Sequence, residues 1–287
     1  MQRFAPAKVN LFLHVGAPAA DGYHPVCSLM AFADVGDNVR LVPDGEGLSV
    51  EGAFAAGLAG EGNNLVLRAR DALLERAGRR VDFGLVLDKA LPIAAGLGGG
   101  SSDAAAALRL IRDALDLAID DAGLREIAGF LGADGPACLD AAPVVGTGRG
   151  DVLAPAPSFP SLPAVLANPG VASPTGPVYR AYDLAVAPEG ANAPRWPEAL
   201  ETPAQVAVFL AACRNDLETP AVALAPEIGE CLEILNAHPE PLLARMSGSG
   251  ATCFALCADD AGAYALAERL QAEHPHWWVR ACLIGGR

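Results

Sequence analysis

Lysine is almost missing from this chain: of twenty basic residues only Lys8 and Lys89 are lysines, and arginine supplies the rest. Positive charge is scarce altogether. The 20 basic residues face 34 acidic ones for a formal net charge of -14, which excludes nucleic acid as a partner, because a phosphate backbone is held by a basic face. A small anionic ligand stays compatible where its charge is met locally. Aromatic residues make up only 6%, so the core has to be built from Ala, Leu and Val. Apolar runs of about 18 residues, the length that spans a bilayer, are lacking despite a mean hydropathy of +0.29, since Gly, Pro and charges keep interrupting. A soluble protein without a membrane partner is expected. The stretch MQRFAPAKVNLFLHVG has too short an apolar run before Pro6 and Lys8 for a signal peptide. A disulfide framework is lacking too: Cys27, Cys138, Cys213, Cys231, Cys253, Cys257 and Cys282 are odd in number, scattered and mostly set among apolar neighbours. That is the usage of reduced thiols, and a cytoplasmic protein is expected. The pair Cys253 and Cys257, four apart in ATCFALCA, suits core packing better than a zinc or redox site.

What is present is ample material for a core, with 52% hydrophobic residues in a chain of 287, the size of one large or two ordinary domains. KVNLFLHVG, LSVEGAF, NVRLVPD and VDFGLVLDKAL read as strands, and NNLVLRARDALLERAG carries its apolar residues at helical spacing. A helix is expected from Ser102 or Asp103 to about Leu117, another over DAGLREIAGFLG, and APVVGTGRGDVLAP reads strand, turn, strand. Four prolines between Pro155 and Pro163 break regular structure and mark a domain boundary. Beyond it LPAVLANPG is a strand, SPTGPVYRAYDL, TPAQVAVFLAACR and PAVALAPEIGECLEILNA are helices, and residues 184–201 form a surface loop. PLLARMSGSGATCFALCADD reads strand, glycine turn, strand, followed by a helix over AGAYALAERLQAEH and the strand WWVRACLIG. Strands and helices mixed in both halves predict an α+β protein of two domains.

The stretch GLGGGSS at residues 96–102 follows a strand and opens a helix. Glycines there let backbone N–H groups approach an anion without Cβ obstruction, and the helix N-terminus adds its partial positive charge, so phosphate is the natural guest. Ser101 and Ser102 supply hydroxyls that cap the helix or contact a phosphate or magnesium ion. No lysine follows the glycines, which excludes the Walker A loop, and the spacing of Gly96, Gly98 and Gly99 fits a dinucleotide fingerprint poorly.

PIAAGLGGGSSDAAAAL resembles the central motif of the GHMP small-molecule kinases, the superfamily of galactokinase, homoserine kinase and mevalonate kinase. PAKVNLFLHVG at residues 6–16 resembles its first motif and RMSGSGATCFAL at residues 245–256 its third. The resemblance implies a two-domain α+β GHMP kinase fold. A ribosomal-protein-S5-like domain over residues 1–156 would bind ATP and carry catalysis, and a ferredoxin-like α/β domain would fill residues 157–287. It implies ATP with magnesium as co-substrate and no tightly bound cofactor. ATP would lie over Pro92, Ile93, Ala94, Ala95, Gly96, Leu97, Gly98, Gly99, Gly100, Ser101 and Ser102, with Lys89 and Asn64 near the adenine end. Phosphoryl transfer needs a group that orients or deprotonates the attacking hydroxyl and positive charge near the transferring phosphoryl; Asp134 and Lys8 match the family's catalytic pair. Asn10, two residues from Lys8 and on the same face of a strand, contacts the substrate or orients that pair.

DGYHPVCSLM and LGADGPACL narrow the resemblance to a branch of the superfamily whose alcohol carries a cytidyl group and is phosphorylated at its 2-hydroxyl in non-mevalonate isoprenoid synthesis. By that resemblance Tyr23 stacks on the cytosine ring, His24 bonds its pairing edge, and Tyr179 covers the opposite face. The alternatives are a homoserine- or mevalonate-type sister kinase, against which the nucleobase clamp speaks, and a nucleotide-binding regulator, which has no need for Lys8 and Asp134 together. His14 reads as structural. SGSGAT at residues 247–252 is either a plain hairpin or a turn brought to the catalytic loop, and in RNDLE helix capping by Asn215 or Asp216 is the simpler account. Ala94 and Ala95 stand where the family often has glycine, and Gly135 where a larger apolar residue is common. The expected partner is a small molecule, and the expected state a monomer or weak homodimer.

Overall fold

The computed structural model describes residues 1–58, 64–184 and 188–285. The elements are β1 (Gln2–Val15), β2 (Val26–Val42), β3 (Leu48–Glu51), α1 (Leu65–Arg76), β4 (Gly84–Asp88), α2 (Gly99–Ala114), α3 (Asp121–Leu131), α4 (Gly135–Asp140), β5 (Val144–Thr147), β6 (Val152–Pro155), β7 (Leu162–Asn168), α5 (Thr175–Leu184), α6 (Pro203–Ala211), α7 (Glu218–Leu224), α8 (Pro226–Ala237), β8 (Pro241–Met246), β9 (Cys253–Cys257), α9 (Asp260–Glu273) and β10 (Trp278–Ile284). The mixed α+β architecture expected from the sequence is present. Of the loop expected over residues 184–201, residues 185–187 lie outside the described residues.

The chain divides into two compact units that are not consecutive in sequence. The first comprises Met1–Lys8, Gly36–Ile93 and Gly98–Ala141, the second Val9–Val35, Ala94–Leu97 and Ala142–Arg287. A cut after Ala156 therefore falls inside the second unit. The reason is the length of β1 and β2, 14 and 17 residues: each contributes one end to each unit.

In the first unit the far end of β2 pairs antiparallel with β4, from Asn38 opposite Asp88 to Val42 opposite Gly84, and β3 runs parallel to β4. Helices α1 to α4 supply its apolar filling. The alanine run of α2 is buried from Ser102 to Leu108, because side chains this small let neighbouring helices approach closely. In the second unit β7 lies between β10 and β9, β8 closes that side, and all these pairs are antiparallel. Every residue of β7 and β9 is buried, which is why both read as unbroken apolar runs rather than alternating ones. Val178, Ile228, Leu235, Leu266 and Leu270 from α5, α8 and α9 pack with the inward residues of these strands.

Several boundaries differ from the sequence reading: β1 begins at Gln2 rather than Lys8, and β2 at Val26, where only its end in NVRLVPD was read as a strand. Helix α2 begins at Gly99, with Gly98 at its N-cap, three residues before the first serine expected to start it. PAVALAPEIGECLEILNA is two helices that break at Ala225, ahead of Pro226, as the restriction on the residue preceding proline demands. Finally, the short helix α4 fills Gly135–Asp140, a segment to which the sequence reading gave no element.

Candidate active site

What comes close to the glycine stretch is first of all the protein itself. A Cβ built on Gly98, whose φ is +61°, would lie 3.0 Å from Lys8 Cε and 3.4 Å from Asp134 Oδ2. Lys8 Nζ and Asp134 Oδ2 stand 3.0 Å apart. The glycine thus opens room for a lysine and carboxylate pair against the start of α2. The Lys8 side chain is 6% exposed and that of Asp134 35%, so the ammonium is withdrawn from water while the carboxylate stays partly open. Asp134 holds the N-cap position of α4 but makes no side-chain cap bond; its carboxylate is turned to Lys8 instead. Gly135 also has a local cause. A Cβ there would meet the Ala128 carbonyl oxygen at 2.1 Å, so the larger residue common in the family has no room.

Ala94–Leu97 belongs to the second unit, where the SGSGAT turn holds it. Ser247 Oγ accepts the Asn10 N–H at 3.1 Å and donates to the Gly96 carbonyl at 2.9 Å. The Thr252 N–H donates to the Ala95 carbonyl at 3.1 Å. A Cβ on Gly96 would overlap the Ser247 carbonyl oxygen at 2.2 Å. The turn is therefore a buttress of the loop rather than a plain hairpin. Asn215 braces the turn in its own right, donating to the Met246 and Gly248 carbonyls at 2.8 Å each, a role the capping account of RNDLE missed. Arg245 was likewise missed. It is buried, with its guanidinium donating to the carbonyls of Leu11, Leu210 and Cys213. Such long-range partners leave no signal in the local sequence.

Other expected ligand residues are committed elsewhere. Ser102 is buried and its hydroxyl donates to the Pro6 carbonyl at 2.8 Å, tying α2 to β1, whereas Ser101 remains half-buried. Asn64 caps α1, its side chain accepting the Val66 N–H at 2.9 Å. Lys89 is 3% exposed, and its ammonium donates to Asp37 and, at 2.9 Å, to Asp103 Oδ2. Asp37 Oδ1 also accepts the Ala90 and Leu91 N–H groups. A buried ammonium requires such anionic partners, and with both in place Lys89 is structural rather than offered to a ligand. Burial works against the Lys89 charge, but Asp103 and Asp37 outweigh it and its pKa is raised. Asp103 shares the lysine with a second carboxylate. Burial pushes it up to about 7 against the pull of Lys89, and its Oδ1 has no hydrogen-bond partner among the described residues.

In the second unit, Tyr23 follows the Asp21–Gly22 turn and is 56% exposed. His24 is buried beside it in sequence, with Nε2 2.6 Å from Asp183 Oδ1 and its ring 4.9 Å from that of Tyr179. His24 and Tyr179 are thus brought together; Asp183 was not foreseen. At neutral pH a carboxylate only accepts, so Nε2 carries the proton of this bond. Asn10 donates its side-chain amide to Ser28 Oγ at 2.8 Å. His14 is structural as expected. It lies between the Asn192 carbonyl and the Arg214 N–H, and burial holds its pKa down.

Two family models match this chain: GHMP kinases N terminal domain over residues 64–148 and GHMP kinases C terminal over residues 203–276. The chain is a GHMP kinase. Across its full length this GHMP kinase is 59% identical to the 4-diphosphocytidyl-2-C-methyl-D-erythritol kinase of Caulobacter sp. (strain K31), covering 99% of that protein. It is 50% identical to the protein of the same name from Rhodopseudomonas palustris (strain ATCC BAA-98 / CGA009), over 96% of this chain and 95% of that one. Among solved structures, a 4-(cytidine 5'-diphospho)-2C-methyl-D-erythritol kinase matches with a TM-score of 0.79 and 33% identity over all of both chains. A homoserine kinase from Cytophaga hutchinsonii matches at 0.70 with 18% identity, over 98% of this chain and 93% of that one, a likeness of fold. Among the described residues no helix of this GHMP kinase is long and apolar enough to cross a membrane.

Proposed function

We propose that this GHMP kinase transfers the γ-phosphoryl group of ATP to the 2-hydroxyl of 4-diphosphocytidyl-2-C-methyl-D-erythritol, a step of non-mevalonate isoprenoid precursor synthesis. The observation that carries the chemistry is the Lys8–Asp134 pair, 3.0 Å apart against Gly98. Asp134 accepts the proton of the attacking hydroxyl as the oxygen bonds to phosphorus, and Lys8 holds the carboxylate in place and stabilises the oxygen as its proton leaves. Backbone N–H groups of Gly98, Gly99 and Gly100 at the start of α2 face the triphosphate, with Ser101 as the hydroxyl available there. Magnesium enters as part of the ATP complex, held mainly by phosphate oxygens and water. The substrate assignment is supported by the full-length relatives of that name and by Tyr23, His24 and Tyr179, a set of rings suited to a nucleobase. Tyr23 stacks on the cytosine, Tyr179 covers the other face and His24 reads its edge. We place the enzyme in the cytoplasm as a monomer or weak homodimer.

The test follows ADP release by purified protein with ATP and magnesium, offering the cytidyl substrate, homoserine and mevalonate in parallel. Turnover is expected with the first alone. Turnover with homoserine or mevalonate only would overturn the substrate, and none with any of the three would favour a binding protein without catalysis.

A further inference from the structure

An exposed tyrosine makes a poor platform for a nucleobase unless something fixes its ring, because a free side chain loses rotamer entropy when the ligand lands. Tyr23 is fixed. The guanidinium carbon of Arg149 lies 3.9 Å from its ring centroid, over one face. Arg149 Nη2 donates to Asp21 Oδ2 at 2.5 Å, and Asp21 Oδ1 in turn accepts the backbone N–H of Tyr23 at 3.0 Å. One carboxylate is therefore hooked to the tyrosine's main chain and to the group that covers its ring. Arg149 is itself placed by the turn between β5 and β6, where its N–H donates to Asp151 Oδ1 at 2.9 Å and the Gly150 N–H closes on the Thr147 carbonyl at 3.0 Å.

We propose that Arg149 is a positioning residue of the nucleobase subsite: its guanidinium backs one face of the Tyr23 ring and presents the other to the cytosine. The inference rests on the reading of Tyr23 as the stacking residue given above. Asp21 neutralises Arg149, which disfavours a role as the cation that meets the substrate's diphosphate and favours one exerted through the ring. Planar stacking of a guanidinium on an aromatic face is the geometry arginine is suited to.

The experiment measures CMP binding by calorimetry, and KM for the cytidyl substrate and for ATP, in the wild type, Arg149→Ala, Arg149→Lys, Tyr23→Ala and the double variant Tyr23→Ala/Arg149→Ala. Loss of a cation stacked at an exposed site is expected to weaken CMP binding about two- to fivefold. KM for the cytidyl substrate should rise in proportion while KM for ATP keeps its wild-type value. Arg149→Lys, which retains the cation without the flat fork, should recover part of the loss. In the Tyr23→Ala background the second substitution should add nothing, since its effect runs through the ring. An undiminished loss in that background would overturn the inference by making Arg149 a direct ligand contact. CMP binding by Arg149→Ala as tight as the wild type's, or tighter, would overturn it too, the tighter case meaning that the guanidinium occupies the nucleobase's own place. A wild-type protein that binds ATP but no CMP would overturn the nucleobase reading and this inference together, whereas CMP binding insensitive to Arg149 would overturn this inference alone.

Discussion

Both lysines of this chain sit in nearly dry surroundings, and what separates them is the exposure of their carboxylates. Lys89 is enclosed by Asp37 and Asp103, both buried, and its charge is used up in holding structure. Lys8 faces Asp134, which keeps about a third of its side chain open, so one partner of the pair remains reachable by a substrate. Replacing Asp134 by Asn keeps the shape and removes the base. Turnover should fall about 10²- to 10⁴-fold, with ATP binding unchanged by calorimetry. A variant retaining wild-type turnover would return Asp134 to the role of a turn residue. A second prediction concerns Ala94, whose φ is 51°, in the left-handed region where an L side chain costs roughly 1–2 kcal/mol. Glycine removes that strain but adds chain entropy to the unfolded state. Ala94→Gly should therefore stabilise the fold by up to about 1 kcal/mol, read as a higher midpoint in urea. At this scale the sequence pointed to Lys8 and Asp134 through their motifs and set Lys89 apart, near the adenine end, but nothing in it showed that Asp37 and Asp103 enclose Lys89. Burial of the partners, which decides the matter, is a property of the fold.

The elements were legible to different degrees. Amphipathic or wholly apolar periodicity located the long helices and most strands, whose burial follows from their own side chains, but of β2 only the end in NVRLVPD was read. The start of α2 was not legible, because glycines at its first turn and serines after them read as a loop and a cap. The hold of the SGSGAT turn on Ala94–Leu97 was legible only as one of two alternatives, because it is made by residues more than 150 positions apart. Both bear on the loop's rigidity. A Cβ on Gly98 would crowd Lys8 at 3.0 Å and adopt a φ of +61°, so Gly98→Ala should cost about 1–2 kcal/mol of stability and lower turnover further than that loss explains. The same substitution with normal turnover would mean that Lys8 has room to move without consequence. The lysine clamp between β4 and α2 has a pH signature. Asp103, raised by burial from an ordinary 3.8 to about 7, keeps its proton in the folded chain over a range where the unfolded chain has lost it. Its contribution to stability is therefore present in acid, is lost as pH rises through that window, and is level above it. Asp103→Asn removes the titration, so urea midpoints of the variant should gain on the wild type between about pH 4 and about pH 7. A constant difference would mean that Lys89 keeps Asp103 ionised throughout.

At the scale of the whole molecule, the seven cysteines report on folding. All seven are free and buried. Burial raises the thiols of Cys27, Cys138, Cys213 and Cys282 and pushes Cys257 up to about 12, while a hydrogen bond from Cys231, with burial second, raises Cys253. Since the thiolate is the reactive form, the native protein should show no fast reaction with an aromatic disulfide reagent, and the denatured chain should titrate seven thiols. The distribution adds a sharper test. Cys138 lies in the first unit and the other six in the second. The chain passes between the units after Lys8, Val35, Ile93, Leu97 and Ala141, and β1 and β2 run unbroken through two of these passages. Because β1 and β2 each give one end to each unit, unfolding is expected to be a single cooperative event. Pulsed thiol labelling along a urea gradient, with each cysteine followed by mass spectrometry, should give Cys138 the same midpoint as the remaining six. A separate transition for Cys138 would show that the first unit opens by itself, and that the shared strands do not bind the two into one folding unit.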